Sequence, residues 1–351
     1  MTFKVRLRPS GRLIEVEKDE AVLDAAMRQG VDLPYGCRNG ACGSCMGTVL
    51  KGQIRYLQEP MALEDDAMVQ GKALFCIGTP ESDLEISVHE IEGLEDIQVR
   101  SLRCRVESKQ PLSHDVMCLK LKLAGDERLQ YLAGQYIEFI LDEGKRRAFS
   151  IANAPHTDAL IELHIRHVDG GKFTDYLFSE MPEKTMLRIE GPMGSFFLRE
   201  NSDRPIILMG GGTGFGPLKA IMEHSEYIHL DRSIHLFMGV RAKRDLYMAE
   251  LAKEWEKRIP NFKFTPVLSE PTPQDNWQGE TGYVHEAAVK TYPDLSEFDI
   301  YMSGPPPMVD AGLAAFTQQR ADQNHIYSDA FEYSADASMA MRDQMNLKHD
   351  I

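Results

Sequence analysis

The sequence predicts a multidomain chain that joins an α+β unit, an antiparallel β-barrel and a parallel-sheet α/β unit. Three observations predict it. Four cysteines, Cys37, Cys42, Cys45 and Cys76, sit in an N-terminal stretch that mixes alternating strands with one helical run. From about Arg100 to Arg199 short strands dominate, separated by Gly and Pro, as in antiparallel barrels. From Arg204 onward, strand and helix patterns alternate, as in a parallel sheet. At 351 residues the chain also exceeds one typical hydrophobic core.

The first unit is read over residues 1–95. Phe3, Val5 and Leu7 alternate, and Leu13, Ile14 and Val16 follow the turn signal Pro9–Gly11, which predicts a hairpin. Leu23, Ala26 and Met27 have helical spacing between Glu20 and Gln29, with Gly30 as the stop signal. A cysteine loop and a short strand, Met46–Leu50, follow, and Leu84, Ile86 and Val88 alternate as a closing strand.

The loop reads YGCRNGACGSC, a C-x4-C-x2-C spacing, with the fourth cysteine alone in LFCIG. Four thiolates at that spacing hold a [2Fe–2S] cluster. Structural zinc sites use paired C-x2–4-C units, and no second pair exists here. Gly36, Gly40 and Gly43 suit tight turns that bring backbone N–H groups to sulfur. The alternative is four buried or disulfide-bonded cysteines. The remaining two, Cys104 and Cys118, lie in alternating stretches and read as reduced core residues. A one-electron centre implies a chain that moves electrons.

With 39 Lys+Arg against 54 Asp+Glu the net charge is −15, which argues against nucleic acid or an anionic membrane as partner. The opening MTFKVRLRPS has no apolar signal core, and no later run reaches membrane-spanning length. The expectation is a soluble, cytoplasmic protein. Residues 91–100, EIEGLEDIQV, read as an acidic linker.

Over residues 100–200 strands are expected at Leu119–Leu123, Tyr136–Leu141, Leu160–Arg166 and Met186–Ile189. In RRAFSIAN, Arg147, Phe149 and Ser150 place a cation, an aromatic face and a hydroxyl on one strand. A flavin needs a flat apolar face, a hydrogen-bond partner near N5 and a cation for its pyrophosphate. A purely structural strand is the alternative. Downstream, Gly170 and Gly171 allow backbone N–H groups to reach a phosphate, and Lys172 and Thr174 open a helix, a natural anion site.

Over residues 203–335 the expected strands are Pro205–Met209, Ile234–Val240, Phe262–Leu268 and Asp299–Met302, with helical runs Leu218–Met222 and Leu246–Arg258. MGGGTGFGP, Met209 to Pro217, follows the first strand and can admit a dinucleotide pyrophosphate to a helix N-terminus. It departs from G-x-G-x-x-G, because Phe215 stands where the third glycine belongs. SGPPPM, Ser303–Met308, follows the fourth strand, where open α/β sheets place ligand-binding groups. Residues 336–351 form a polar tail with no evident role.

RAFSIAN, GGTGFGP, Asp245–Tyr247 and YMSGPPPM together resemble the ferredoxin–NADP reductase superfamily. With its N-terminal unit similar to the β-grasp of plant-type ferredoxins, the chain resembles the reductase components of phenol hydroxylase, methane monooxygenase and benzoate dioxygenase systems. That resemblance implies FAD, a nicotinamide dinucleotide and a separate electron-accepting protein, an oxygenase or hydroxylase component. Its implied course runs from NADH to flavin to cluster to acceptor. A sugar dehydratase of the kind served by CDP-6-deoxyglucoseen reductases is the alternative acceptor; a redox sensor whose cluster does no turnover is an alternative of another class. The candidate cofactor-binding residues are Arg147, Ala148, Phe149, Ser150, Arg166, Gly171, Lys172, Phe173 and Thr174, then Gly211, Gly212, Thr213, Gly214 and Pro217, then Arg241, Glu270, Gly304, Pro305, Pro306 and Met308. Ser150, Ser303 and Phe331 are the candidate catalytic residues, Phe331 by resemblance to an aromatic near the flavin. Most relatives carry Cys where Ser303 stands. NADPH-dependent relatives carry Ser-Arg where this chain has Ser269–Glu270, which implies NADH; Arg241, Lys243 and Arg244 point the other way, and Glu270 facing solvent is the bland alternative.

Overall fold

In the computed structural model, which describes residues 2–91 and 97–331, the N-terminal sheet grows from the predicted hairpin. β1 (Thr2–Arg8) and β2 (Leu13–Glu17) pair antiparallel, with Val5, Leu7, Ile14 and Val16 all turned inward. The helix α1 (Val22–Arg28) starts two residues later than its spacing suggested. Glu20 is engaged before the helix: its carboxylate accepts from Glu17 N and from Arg28. Beyond the cysteine loop come β3 (Met46–Lys51), β4 (Ile54–Tyr56), α2 (Asp65–Val69), β5 (Lys72–Leu74), β6 (Gly78–Pro80) and β7 (Leu84–Ser87). The main sheet runs β2-β1-β7-β3-β5, and β4 pairs with β6 apart from it. β1 and β7 are parallel, while β7–β3 and β3–β5 are antiparallel.

The chain divides into two compact units, one of Met1–Gln98 with which residues 328–331 are grouped, and a second containing Val99–Tyr327. The centre of the expected linker, residues 92–96, and the tail, residues 336–351, lie outside the described residues.

The second unit begins with β8 (Arg100–Pro111), β9 (Val116–Leu123), β10 (Tyr136–Ile140), β11 (Arg146–Ser150), β12 (Ile161–Arg166), the helix α3 (Lys172–Ser179) and β13 (Met186–Met193). These strands form one antiparallel sheet in the order β11-β10-β13-β8-β9-β12. An antiparallel bridge, Ile151 to Leu163, joins the residue after β11 to β12, so the two ends of that order meet. Leu102, Cys104, Val106, Leu119, Leu121, Ile137, Phe139, Leu163 and Ile165 fill the interior. Cys104 and Cys118 are free and buried, and burial pushes their thiols up to about 12 and about 11.

The rest of the chain builds β14 (Ile206–Gly211), α4 (Phe215–Tyr227), β15 (Ile234–Val240), α5 (Ala249–Arg258), β16 (Phe262–Leu268), β17 (Glu280–Thr281), α6 (Val284–Thr291), β18 (Asp299–Gly304), α7 (Pro306–Gln318) and β19 (Ile326–Ala330). The sheet order is β17-β16-β15-β14-β18-β19, with parallel pairing from β17 through β18. Here three element boundaries differ from the sequence reading. β14 runs on through Gly210 and Gly211, so two glycines of the run are strand. The helix begins at Phe215 rather than Leu218, because Pro217 falls in the first turn, where its missing N–H costs no hydrogen bond. α5 begins at Ala249 rather than Leu246, because Asp245 Oδ2 accepts from Ala242 N to close a separate turn and Met248 then adopts φ 56°.

Candidate cofactor sites

The cysteine loop folds so that backbone donors face sulfur. Cys37 N lies 3.3 Å from Cys42 Sγ, and Cys42 N lies 3.4 Å from Cys37 Sγ. Gly40 contributes its N–H to Cys76. The neighbouring Cys37 thiol, with Cys37 N, Ser44 N and the Ser44 hydroxyl, lowers the Cys42 thiol to about 6 against its burial. Cys45 and Cys76 share a hydrogen bond: Cys76 together with burial holds the Cys45 thiol up, while Cys45 holds Cys76 down. Gly40 (φ 86°) leaves no room for a side chain, since a Cβ there would lie 2.4 Å from Ile77 Cδ1. All four cysteines are thiols outside any disulfide. Four thiols on a loop lined with N–H donors form the donor set an iron–sulfur cluster requires, and the cluster fits.

On β11 the side chains alternate as the motif requires, yet Phe149 does not stand free. Its ring lies 5.6 Å from both Phe139 and Phe173, and Phe173 is itself buried on α3. Ala148 is exposed on the opposite face, and Arg147 and Ser150 are half-buried. Arg146 is held by carboxylates, at 2.8 Å from Glu138 and 3.0 Å from Glu190, and the Arg147 guanidinium donates to Arg146 O at 2.9 Å. Gly171 caps α3, and a Cβ on it would lie 2.8 Å from Thr174 Oγ1 and 3.0 Å from Val168 O. The Thr174 hydroxyl is spent on this turn, donating to Val168 O and accepting from Val168 N. A bare, N–H-rich turn opening a helix beside a short aromatic cluster fits FAD.

The two loops of the last sheet meet. A Cβ on Gly211 would strike Met308 Sδ at 2.5 Å and Pro305 Cδ at 3.1 Å, and one on Gly304 would meet Gly211 O at 3.0 Å. One on Gly214 would fall 1.9 Å from Ser303 O. Gly212 (φ 54°) has the Arg166 guanidinium 2.7 Å from its missing Cβ. These loops border a cavity of about 690 Å³ that also takes in Arg241, Ser269, Asp245 and Tyr283. Strand β12 and its turn add Arg166, His167 and Asp169, and the turn before β9 adds His114 and Asp115. Arg147, Phe149, Ser150 and Gly171–Thr174 do not line it. Neither does Glu270, which is exposed, although its N–H donates to Arg241 O at 2.9 Å and so places the two side by side. Ser303 is fully buried, and among the described residues its hydroxyl has no hydrogen-bond partner. Phe331 is half-buried and directly follows β19 as the last described residue. A glycine-lined cavity with two arginines fits a dinucleotide. His114, Asp115 and Tyr283 carried no sequence signal, since no motif marks them; they reach the cavity by folding alone.

Three family models match in chain order: the 2Fe-2S iron-sulfur cluster binding domain over residues 5–81, the oxidoreductase FAD-binding domain over 103–198 and the oxidoreductase NAD-binding domain over 208–312. The chain is 36% identical over 331 residues to the CDP-6-deoxy-L-threo-D-glycero-4-hexulose-3-dehydrase reductase of Yersinia pestis, covering 94% of this chain and 99% of that one. The chain belongs to the iron–sulfur flavoprotein reductases. Another relative in that family, the phenol hydroxylase P5 protein of Acinetobacter pittii, is 36% identical over 99% of this chain and 100% of its own. Among solved structures, an Amycolatopsis cytochrome P450 reductase aligns with a TM-score of 0.75 and 33% identity, over 94% of this chain and 99% of that one. As an oxidoreductase of this family, the protein uses a [2Fe–2S] cluster, FAD and a nicotinamide dinucleotide. No helix among the described residues is long and apolar enough to cross a membrane.

Proposed function

We propose that this reductase draws electrons from NADH and delivers them one at a time to a separate oxygenase or hydroxylase component in the cytoplasm. The observation that carries the reading is the meeting of two glycine-containing loops, Gly211–Gly214 and Ser303–Pro305, at a cavity that Arg166 enters from β12. Domain limits of 1–95, 100–200 and 203–335 accompany it, with the first unit a β-grasp and the second sheet a closed barrel; the Ile151–Leu163 bridge supports that closure.

When bound, FAD supplies the conversion of a two-electron hydride into single electrons. The chain's own residues do the rest. Arg147, half-buried on the strand that carries Phe149, would meet the FAD phosphates; Ser150, on the face opposite Phe149, would offer a hydroxyl near N5. Arg166 and the N–H groups of Gly212–Gly214 hold the dinucleotide pyrophosphate, and Ser303 stands where hydride leaves. Cys37, Cys42, Cys45 and Cys76 hold the cluster from which electrons exit. The likeness to a cytochrome P450 reductase supports an oxygenase acceptor, and the likeness to the Yersinia enzyme supports a dehydratase as the second reading.

Replacing Cys42 with Ser tests the route. Cytochrome c reduction should cease while ferricyanide reduction persists. Unchanged cytochrome c reduction in a variant shown to lack the cluster refutes it.

A further inference from the structure

Beneath the two cofactor loops the second unit buries a polar network that joins its antiparallel sheet to its parallel one. Lys219, on α4 five residues past Gly214, is only 5% exposed. Its ammonium donates to Ala152 O at 2.9 Å, two residues past Ser150, and lies 3.2 Å from Glu162 Oε1 and 2.7 Å from Glu223 Oε1. The Glu223 carboxylate in turn accepts from Ala154 N at 3.2 Å. His164, buried on β12, has Nε2 3.0 Å from Glu162 Oε1 and Nδ1 3.2 Å from the Tyr247 hydroxyl. A carboxylate only accepts, so the neutral ring donates from Nε2 to Glu162 and accepts the Tyr247 proton at Nδ1.

Each end of this network is tied to a cofactor loop. Lys219 and Glu223 rise from the helix whose first residues close the Gly211–Pro217 loop, and Tyr247 packs edge-on against Phe215 of the same helix. Ala152 and Ala154 continue the strand that carries Arg147 and Ser150, and Glu162 and His164 lie on the strand that ends in Arg166. A buried ion pair is directional, and it holds its partners to one geometry where apolar contact would permit sliding.

Cys118, Glu162 and His164 offer ligand atoms within 4.8 Å of one another, a metal-like grouping. The Lys219 ammonium already occupies the cation position beside Glu162, so the grouping reads as part of the ion-pair network.

We infer that Lys219, Glu162, His164 and Tyr247 form an interdomain latch that sets the register between the flavin strand and the dinucleotide loop, and so positions the two rings for hydride transfer. The inference rests on the proposed cofactor sites above. These are positioning residues, since none lines the cavity or belongs to a cofactor loop.

The test uses the full-length FAD-loaded protein. In Lys219→Met, flavin bleaching at saturating NADH should slow about 10- to 100-fold, the range expected when reacting groups are displaced by a fraction of an ångström to one ångström. FAD retention and NAD+ affinity by calorimetry should stay at the wild-type level. The change that NAD+ induces in the flavin absorption band, a signature of how the rings meet, should shrink. Lys219→Arg, which keeps the charge, should restore both the rate and the spectrum. Tyr247→Phe, which removes one hydroxyl, should weaken the same spectral change in the same direction, and it decides alone if Lys219→Met does not fold. An unchanged bleaching rate and spectrum in folded Lys219→Met, or a fall in rate matched by a fall in NAD+ affinity, overturns the latch. Failure of NADH to bleach the wild-type flavin would instead overturn the proposed function.

Discussion

Gly214 and Gly216, at the cap and in the first turn of α4, should respond to alanine in opposite ways. Gly214 has φ −57° and ψ −15°, so alanine there meets no torsional penalty and the outcome is decided by space alone. Its Cβ would lie 1.9 Å from Ser303 O, 2.4 Å from Ser303 C and 2.9 Å from Gly304 N. A carbon–oxygen contact needs about 3.3 Å, so the backbones must separate by about 1.4 Å. Ser303 cannot recede, because it is paired in β18 with Gly210 of β14. Overpacking of this kind costs about 1–3 kcal/mol or more, and a displacement near 1 Å at reacting groups costs about 100-fold in rate. Gly216 differs. Its Cβ would meet Ala152 Cβ at 3.5 Å and His164 Cβ at 3.7 Å, which is ordinary contact, and inside a helix alanine gains up to about 1 kcal/mol over glycine.

Both tryptophans, Trp255 and Trp277, lie in the second unit, so their fluorescence follows its unfolding separately from the cysteine unit. Gly214→Ala should lower its melting temperature by roughly 5 °C or more and slow NADH-driven flavin bleaching about 100-fold. Gly216→Ala should leave the rate in place and hold or raise the melting temperature. A Gly214→Ala protein with wild-type rate and stability, or equal damage from Gly216→Ala, refutes the reasoning.

Further outcomes follow from the same geometry. Glu270→Arg should shift kcat/KM from NADH toward NADPH, since Glu270 is bonded through its backbone to Arg241 at the cavity mouth; a wild-type preference for NADPH would contradict the reading. Arg147→Ala should weaken FAD binding more than Ser150→Ala, because charge-assisted contacts contribute about 1.5–3 kcal/mol and a neutral hydrogen bond about 0.5–1.5; equal apoprotein affinities would reject it. Burial and the Lys263 charge lower His235 from 6.5 to about 4, so the unfolded chain takes up its proton first as pH falls. Stability should therefore decline from pH 6.5 toward 4, by roughly 1–2 kcal/mol once solvent screening of the ring is allowed for, and His235→Gln should flatten that slope in tryptophan-monitored denaturation; an unaltered slope would rule this out. Ser303→Ala should stabilise the apoprotein by about 1 kcal/mol, having removed an unpaired buried hydroxyl, while slowing flavin bleaching; loss of apoprotein stability would show that the hydroxyl is satisfied.

The sequence made legible what is local. Ligand spacing is covalent chemistry, so Cys37, Cys42 and Cys45 announced themselves, and alternation placed β1, β2, β9 and β12 within a few residues. Boundaries failed where a side chain or ring acts on the backbone: Glu20 delays α1, Pro217 advances α4 and Asp245 splits off the turn before α5. The short strands β4, β5, β6 and β17 carry too few residues to show a period. Phe149 read as a ring face, and whether it turns inward depends on Phe139 and Phe173, 10 and 24 positions away. Lys219 shows only its i,i+4 partner Glu223 in the sequence; Glu162 and Ala152 stand 57 and 67 positions back, and only folding converts that separation into a contact.

Of the four buried side-chain atoms of the second unit without a hydrogen-bond partner among the described residues, all but His224 Nδ1 lie at or beside the cavity. Ser303 Oγ, Asp245 Oδ1 and Arg166 Nε are all buried without a hydrogen-bond partner among the described residues. Arg166 Nε is 3.0 Å from Asp115 Oδ2 yet lacks hydrogen-bond alignment, and Asp245 Oδ1 is 3.6 Å from His114 Nε2. Each such group costs about 1–3 kcal/mol, and folds seldom keep several together without cause. Arg166 and Asp245 border the cavity, and Ser303 lies against Gly214 beside it. Gly211, Gly212, Gly214 and Gly304 around them leave out Cβ atoms that would press on the facing loop or on Arg166. Polar groups left short of partners beside a cavity accord with the polar ligand proposed for it. The latch beneath is built the opposite way: Lys219, Glu162, His164 and Tyr247 satisfy one another, as suits a part that holds position while the cavity above fills and empties.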